Sequence, residues 1–190
     1  MSKEARKAAI PHEVVRLDIE VHQPYDEFCR RYETAVPTAN RDRLAEFARR
    51  GAPWSEVLAD AAASAPYGFL IYWKMDLTPL MSLAGNTWRC TEYLMGNHTI
   101  AETMYRHDPA VGLYVPLRTA IYAGPDRATR FAIDQPSTVL SSLGNDAITQ
   151  VGIELDRKLA ELLAALGTDV PEALSATQGA HSQGAARSAG

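Results

Sequence analysis

From Val15 to His22 apolar and polar residues alternate, with Val15, Leu17, Ile19 and Val21 on one side. A period of two marks a half-buried strand, predicted here over residues 13–22. Pro24 then stands where a first helical residue would, and Phe28, Tyr32 and Val36 form the buried stripe of a helix that stops before Pro37. Residues 38–65 predict two short helices broken at Gly51-Ala-Pro53, an Arg- and Ala-rich elaboration over 37–65 rather than core. From Gly68 the texture becomes β-rich. Apolar runs at 68–75, 89–95, 112–122 and 129–133 read as strands. The last two form a hairpin about Gly124-Pro-Asp126, and Pro116 points to an edge or a bulge. The clearest helix spans 146–166, where Ile148, Val151, Leu155, Leu159, Leu162 and Leu166 recur at intervals of three and four between Asn145 and Gly167.

These elements predict one α+β domain over 13–167. Its sheet is four- to five-stranded and mainly antiparallel, packed on one long C-terminal helix and several short ones. Residues 1–12 are expected to be a flexible N-terminus. Residues 168–190, rich in Ala, Gly, Ser and Gln, are expected to be a disordered tail.

Composition narrows the function classes. A net charge of -4 over 190 residues argues against a general nucleic-acid binder. Cys29 and Cys90 are the only cysteines and lie outside any CxxC spacing, which suits a reducing cytoplasm. No signal-peptide pattern and no membrane-length apolar run is present. Gly-x-Gly-x-x-Gly, P-loop and Gly-x-Ser-x-Gly motifs are also absent, which disfavours nucleotide-driven and serine-hydrolase chemistry.

The candidate chemistry centres on 92–102, an apolar strand that runs through Gly96, Asn97 and His98 into a short helix. Thr99 and Glu102 fit a capping box. Free N–H groups at such a helix start, with Gly96 allowing close approach, suit a carboxylate, phosphate or enolate. His98 is the candidate base, with Glu102 beside it on the helix face. Asn97, Thr99, Arg118 and Asp134 complete the candidate ligand-binding set. The bland alternative is that Asn97 and His98 only make the turn, that Glu102 pairs with Arg106, and that Arg118 pairs with Glu92. Asp134 would either join a site or cap the following turn, and Asp76, Asn97 and Asp134 would converge if their strands are neighbours. Cys90, Met95, His98, Met104 and His107 are crowded in sequence, yet no spacing among them is diagnostic of metal or haem.

The chain resembles the family known as domain of unknown function 302, over about 68–166 and more loosely back to Val14. The carriers are Tyr93-Leu-Met-Gly-Asn97, similar to an apolar strand ending in Gly-Asn, and Val115-Pro-Leu-Arg118, similar to a Leu-Pro-Leu-Arg-like strand. Asp134-Gln-Pro-Ser137 and the closing helix follow in the family's order. The resemblance implies a compact α+β domain, often dimeric, bacterial or archaeal, with no established reaction. The chain departs from that pattern twice: Asp76-Leu77 stands in place of an Asp-His pair, and His98 in place of a Pro after Gly-Asn.

The function expected from these residues is small-molecule binding at the 96–98 turn. The ligand class is an anionic or aromatic metabolite, and a cofactor-free lyase, isomerase or cyclase would be the catalytic form. No cofactor, nucleic acid or membrane is expected as a partner, and a homodimer is. A haem- or metal-binding protein and a non-catalytic homodimeric interaction module are the alternatives.

Overall fold

The structure, a computed structural model, describes residues 9–175. Strand β1 (Arg16–Val21) is followed by α1 (Tyr25–Ala35), α2 (Arg41–Arg50), α3 (Trp54–Ser64), β2 (Leu70–Asp76), α4 (Thr78–Ser82) and β3 (Arg89–Gly96). Then come α5 (His98–Tyr105), a 3-10 turn (Pro109–Leu113), β4 (Leu117–Ala123), β5 (Thr129–Asp134), α6 (Pro136–Ser141), α7 (Asp146–Ala165) and α8 (Glu172–Ser175). The five strands form one antiparallel sheet in the order β1-β5-β4-β3-β2. The fold is α+β, and the long C-terminal helix read from its apolar period is α7.

One core joins the inward residues of the sheet to α1 and α7. Leu17, Ile19, Phe131, Ile133, Ile121, Tyr93 and Met95 meet Phe28 and Tyr32 of α1 and Ile148, Leu155, Leu159 and Leu162 of α7. Alternation in β1, β4 and β5 supplies that inward set. The Tyr32 ring lies 4.9 Å from Tyr93 and 5.8 Å from Phe131, centroid to centroid. The outward set carries Arg118 and Tyr122 on β4 and Glu92 and Leu94 on β3, all partly or fully exposed. Exposed Trp73 and Met75 on β2 complete it.

Helices α2 and α3 occupy the 37–65 segment and break at Gly51, whose φ of 64° needs a residue free to enter the left-handed region. The segment entering α2 lies along the β2 edge, where Ile71 donates to the Pro37 carbonyl and accepts from Ala39.

Four local readings differ in the structure. The strand expected over 112–122 begins only at Leu117, because Asp108 caps the 3-10 turn through Ala110 N at 2.8 Å and that turn absorbs the residues before it. Pro116, preceded by a cis peptide bond, therefore precedes β4, and β4 is an inner strand rather than an edge. The polar turn after Asp134 is the start of α6. The tail expected to be disordered from 168 includes α8, whose Leu174 is 1% exposed because it packs into the core; residues 176–190 lie outside the described residues, as do residues 1–8 of the expected flexible N-terminus.

Candidate functional site

The antiparallel register sorts the candidate residues between the two ends of the sheet. Asn97 and Asp134 fall at the end where Met95 pairs with Leu117 and Thr119 with Ile133, and Asp76 falls at the other, opposite Thr91. The three-way convergence does not occur. Between antiparallel neighbours, residues at the C-terminal end of one strand lie beside the N-terminal end of the next.

At the 96–98 end most polar groups are occupied by one another, His98 Nε2 excepted. Asn97, not Thr99, caps α5: its Oδ1 accepts from Thr99 N at 2.9 Å and Thr99 Oγ1 at 2.7 Å, and its Nδ2 donates to the Gly68 carbonyl at 3.1 Å. Glu102 does not reach back to Thr99; it holds Arg106 one turn on, the favourable i,i+4 order. The Tyr72 hydroxyl accepts from the His98 backbone N–H at 3.0 Å and lies 2.7 Å from His98 Nδ1. Tyr72 can give its own proton to Nδ1, which leaves the ring proton on Nε2, and Nε2 is buried without a partner. Burial lowers the His98 pKa, and the Asp60 carboxylate opposes that shift. Gly96 faces Pro116, which a Cβ would meet at 3.4 Å. The void beside Gly96 and Asn97 holds about 10 Å³, room for no more than about one water. His98 therefore has no free Nδ1, and the void beside its helix start is too small for a substrate.

Arg118 pairs with Glu92 across the outer face at 2.9 Å, and Asp134 lies 3.7 Å from Arg16. Both border an open depression of about 370 Å³ beside the 3-10 turn, separate from His98. Asp134 does not cap α6. That role belongs to Asp156, which is fully buried on α7 and accepts from Ser137 N (3.0 Å), Ser137 Oγ (2.5 Å) and Gln135 Nε2 (2.8 Å). The crowded thiol, thioether and imidazole groups disperse. Met95 and Met104 are core, Cys90 is at the far end of β3, and no cluster of three His, Cys, Asp or Glu suited to a metal occurs among the described residues.

A cleft of about 820 Å³ opens at the opposite end of the sheet. Its floor is the last inward rung: Arg89 opposite Ala123, Ala123 opposite Thr129, and Thr129 opposite Val21. Pro24, Tyr25 and Asp26 at the start of α1 form one wall, and the β4–β5 turn with Arg127 forms another. Arg89 lies 4.1 Å over the Tyr25 ring and holds Asp26 through two bonds of 2.5 and 2.8 Å, which keeps the Asp26 carboxyl below its ordinary pKa. The Tyr25 hydroxyl meets Thr91 Oγ1 at 2.6 Å, and burial raises its pKa. Thr129 is 1% exposed and its Oγ1 has no partner. None of these residues was singled out from the sequence. The available signal was a threonine in the inward slot of β5, where Phe131 and Ile133 follow.

A family model described as a domain of unknown function, DUF302, matches residues 53–166, well over half of the chain. The chain belongs to the DUF302 family. The match runs from the start of α3 through α7, and β1 and α1 precede it. Among solved structures, the crystal structure of an uncharacterized conserved DUF302 protein from Bacillus stearothermophilus superposes with a TM-score of 0.57 at 15% identity. It covers 80% of this chain and 97% of its own. At that identity the likeness is one of fold. The curated proteins hold no match.

Proposed function

We propose that this DUF302 protein binds a small molecule, and that it does so in the cleft between β1, the start of α1 and the β4–β5 turn rather than at the 96–98 turn. The observation that carries the reading is the cavity of about 820 Å³ floored by Thr129, a buried hydroxyl with no protein partner. Clefts of this size are typical of small-ligand sites, and a buried polar atom is normally satisfied by protein, water or ligand. His98 Nε2 is also buried without a partner, but the void beside Gly96 and Asn97 holds only about 10 Å³.

The test is a thermal-shift and ligand-observed NMR screen on the intact chain and its Thr129→Val variant. The variant keeps the β-branched shape and removes a desolvated hydroxyl, so ligand-free stability is expected to rise by about 1 kcal/mol. Binders whose signal falls in Thr129→Val support the reading. Binders that ignore Thr129→Val but are lost in His98→Gln would return the site to the turn, and a screen without binders would remove it.

A second reading, a non-catalytic homodimer, is supported by the outer sheet face, where Trp73 and Met75 stand exposed beside Leu94. Sedimentation equilibrium tests it: a chain that stays monomeric at high concentration removes it.

A further inference from the structure

We infer that the cleft takes an oxyanion, the carboxylate or phosphate of a small metabolite, on the N-terminus of α1 and the Thr129 hydroxyl. This rests on the cleft being the binding site. The eleven-residue α1 begins after Pro24, which offers no side-chain acceptor, and no side chain caps the helix. The first of its N–H groups to find an acceptor is that of Phe28, bonded to the Pro24 carbonyl at 2.9 Å. The N–H groups of Tyr25, Asp26 and Glu27 precede it and concentrate the positive end of the helix dipole at the cleft wall. Thr129 is an independent observation: it belongs to the inward rung that floors the cavity, and its buried Oγ1 bonds to nothing.

The charged groups around the cleft are mostly paired with one another. Asp26 is committed to Arg89. Glu20 and Asp126 both face Arg130, at 3.9 and 3.7 Å, and Asp126 also accepts from Ala128 N. Arg127, held at φ 60° by the turn, has no ion-pair partner among the described residues. Arg127 is the lining cation left over from these pairs, so the ligand that complements it and the first-turn N–H groups is an acceptor with negative charge.

Amide-resolved NMR of the full chain, titrated with inorganic phosphate and separately with acetate at constant ionic strength, tests the assignment. The expected result is saturable shifts of the Tyr25, Asp26 and Glu27 amides. Affinity should fall roughly tenfold in Thr129→Val and recover in Thr129→Ser, as for loss of one hydrogen bond to a charged group. Asp26→Asn, which removes a negative charge beside the same amides, should tighten binding. A response to phosphate with acetate silent assigns a phosphoryl ligand, and the reverse assigns a carboxylate. If neither anion shifts these amides while neutral compounds bind in a Thr129-dependent way, the anion assignment fails and the cleft remains a binding site. If nothing binds there, both fail.

Discussion

The two ends of the sheet are made by the same strands and finish in opposite ways. At the 96–98 end, three successive helical segments each begin on a side-chain acceptor: Asn97 for α5, Asp108 for the 3-10 turn and Asp156 for α6. At the other end α1 begins on a proline, and Thr129, without a partner among the described residues, lines the same cleft. The 96–98 end is rich in residues of functional type, yet the void beside Gly96 and Asn97 holds about 10 Å³ and the depression of about 370 Å³ near Asp134 lies apart from His98. The α1 end is plain in sequence and holds the cleft of about 820 Å³. A polar turn motif close to a helix start tends to satisfy its own backbone, so polarity there reports capping before it reports chemistry.

The comparison breaks first at Asp156. Asp156→Ala leaves the half-buried Ser137 N–H and hydroxyl and one N–H of the buried Gln135 amide without their acceptor. It should cost about 3 kcal/mol in urea unfolding while leaving binding in the cleft unchanged. Gly152 guards the same junction: a Cβ there would come 2.9 Å from Ser137 Cα, so Gly152→Ala is expected to lose about 2 kcal/mol.

Tyr72→Phe removes the hydroxyl shared by the His98 N–H and Nδ1, with an expected loss of about 1.5 kcal/mol. The same site sets a pH dependence. Because burial holds the folded His98 pKa below its ordinary 6.5, the unfolded chain binds the proton first as pH falls. Stability from this residue is complete above pH 6.5 and declines on acidification through the lowered pKa. His98→Gln should flatten that part of the stability profile, and an unchanged slope would show that His98 is not the titrating group.

The smallest effects are expected at the exposed pairs. Glu102→Gln and Arg118→Gln each break one surface ion pair and should move stability by no more than about 0.5 kcal/mol, with ligand affinity unchanged. A tenfold loss of binding in either variant would restore the importance of the closed end.

Most of the secondary structure was legible. The period-two run gave β1, the three- and four-residue recurrence gave α7 with Asn145 at its cap, and the Gly-Pro-Asp turn gave the β4–β5 hairpin. The elements that escaped notice, α4, α6 and α8, have only four to six residues, too few for a period to show. The bland alternatives for Glu102 with Arg106 and Arg118 with Glu92 were legible too, since both follow from neighbouring positions on one helix or one strand pair.

What the sequence determined by itself is what short-range spacing governs: element type, turn position, caps two or three residues away, and membership of an α+β family. The tertiary structure alone decided which polar groups are spent. Tyr72 reaches His98 across 26 positions, Asp156 reaches Ser137 across 19, and Arg89 reaches Asp26 across 63. Hydrogen-bond satisfaction is a property of whichever groups the packed chain brings within about 3 Å, so the groups left over, here His98 Nε2, Thr129 and the first turn of α1, appear only once the others have found their partners.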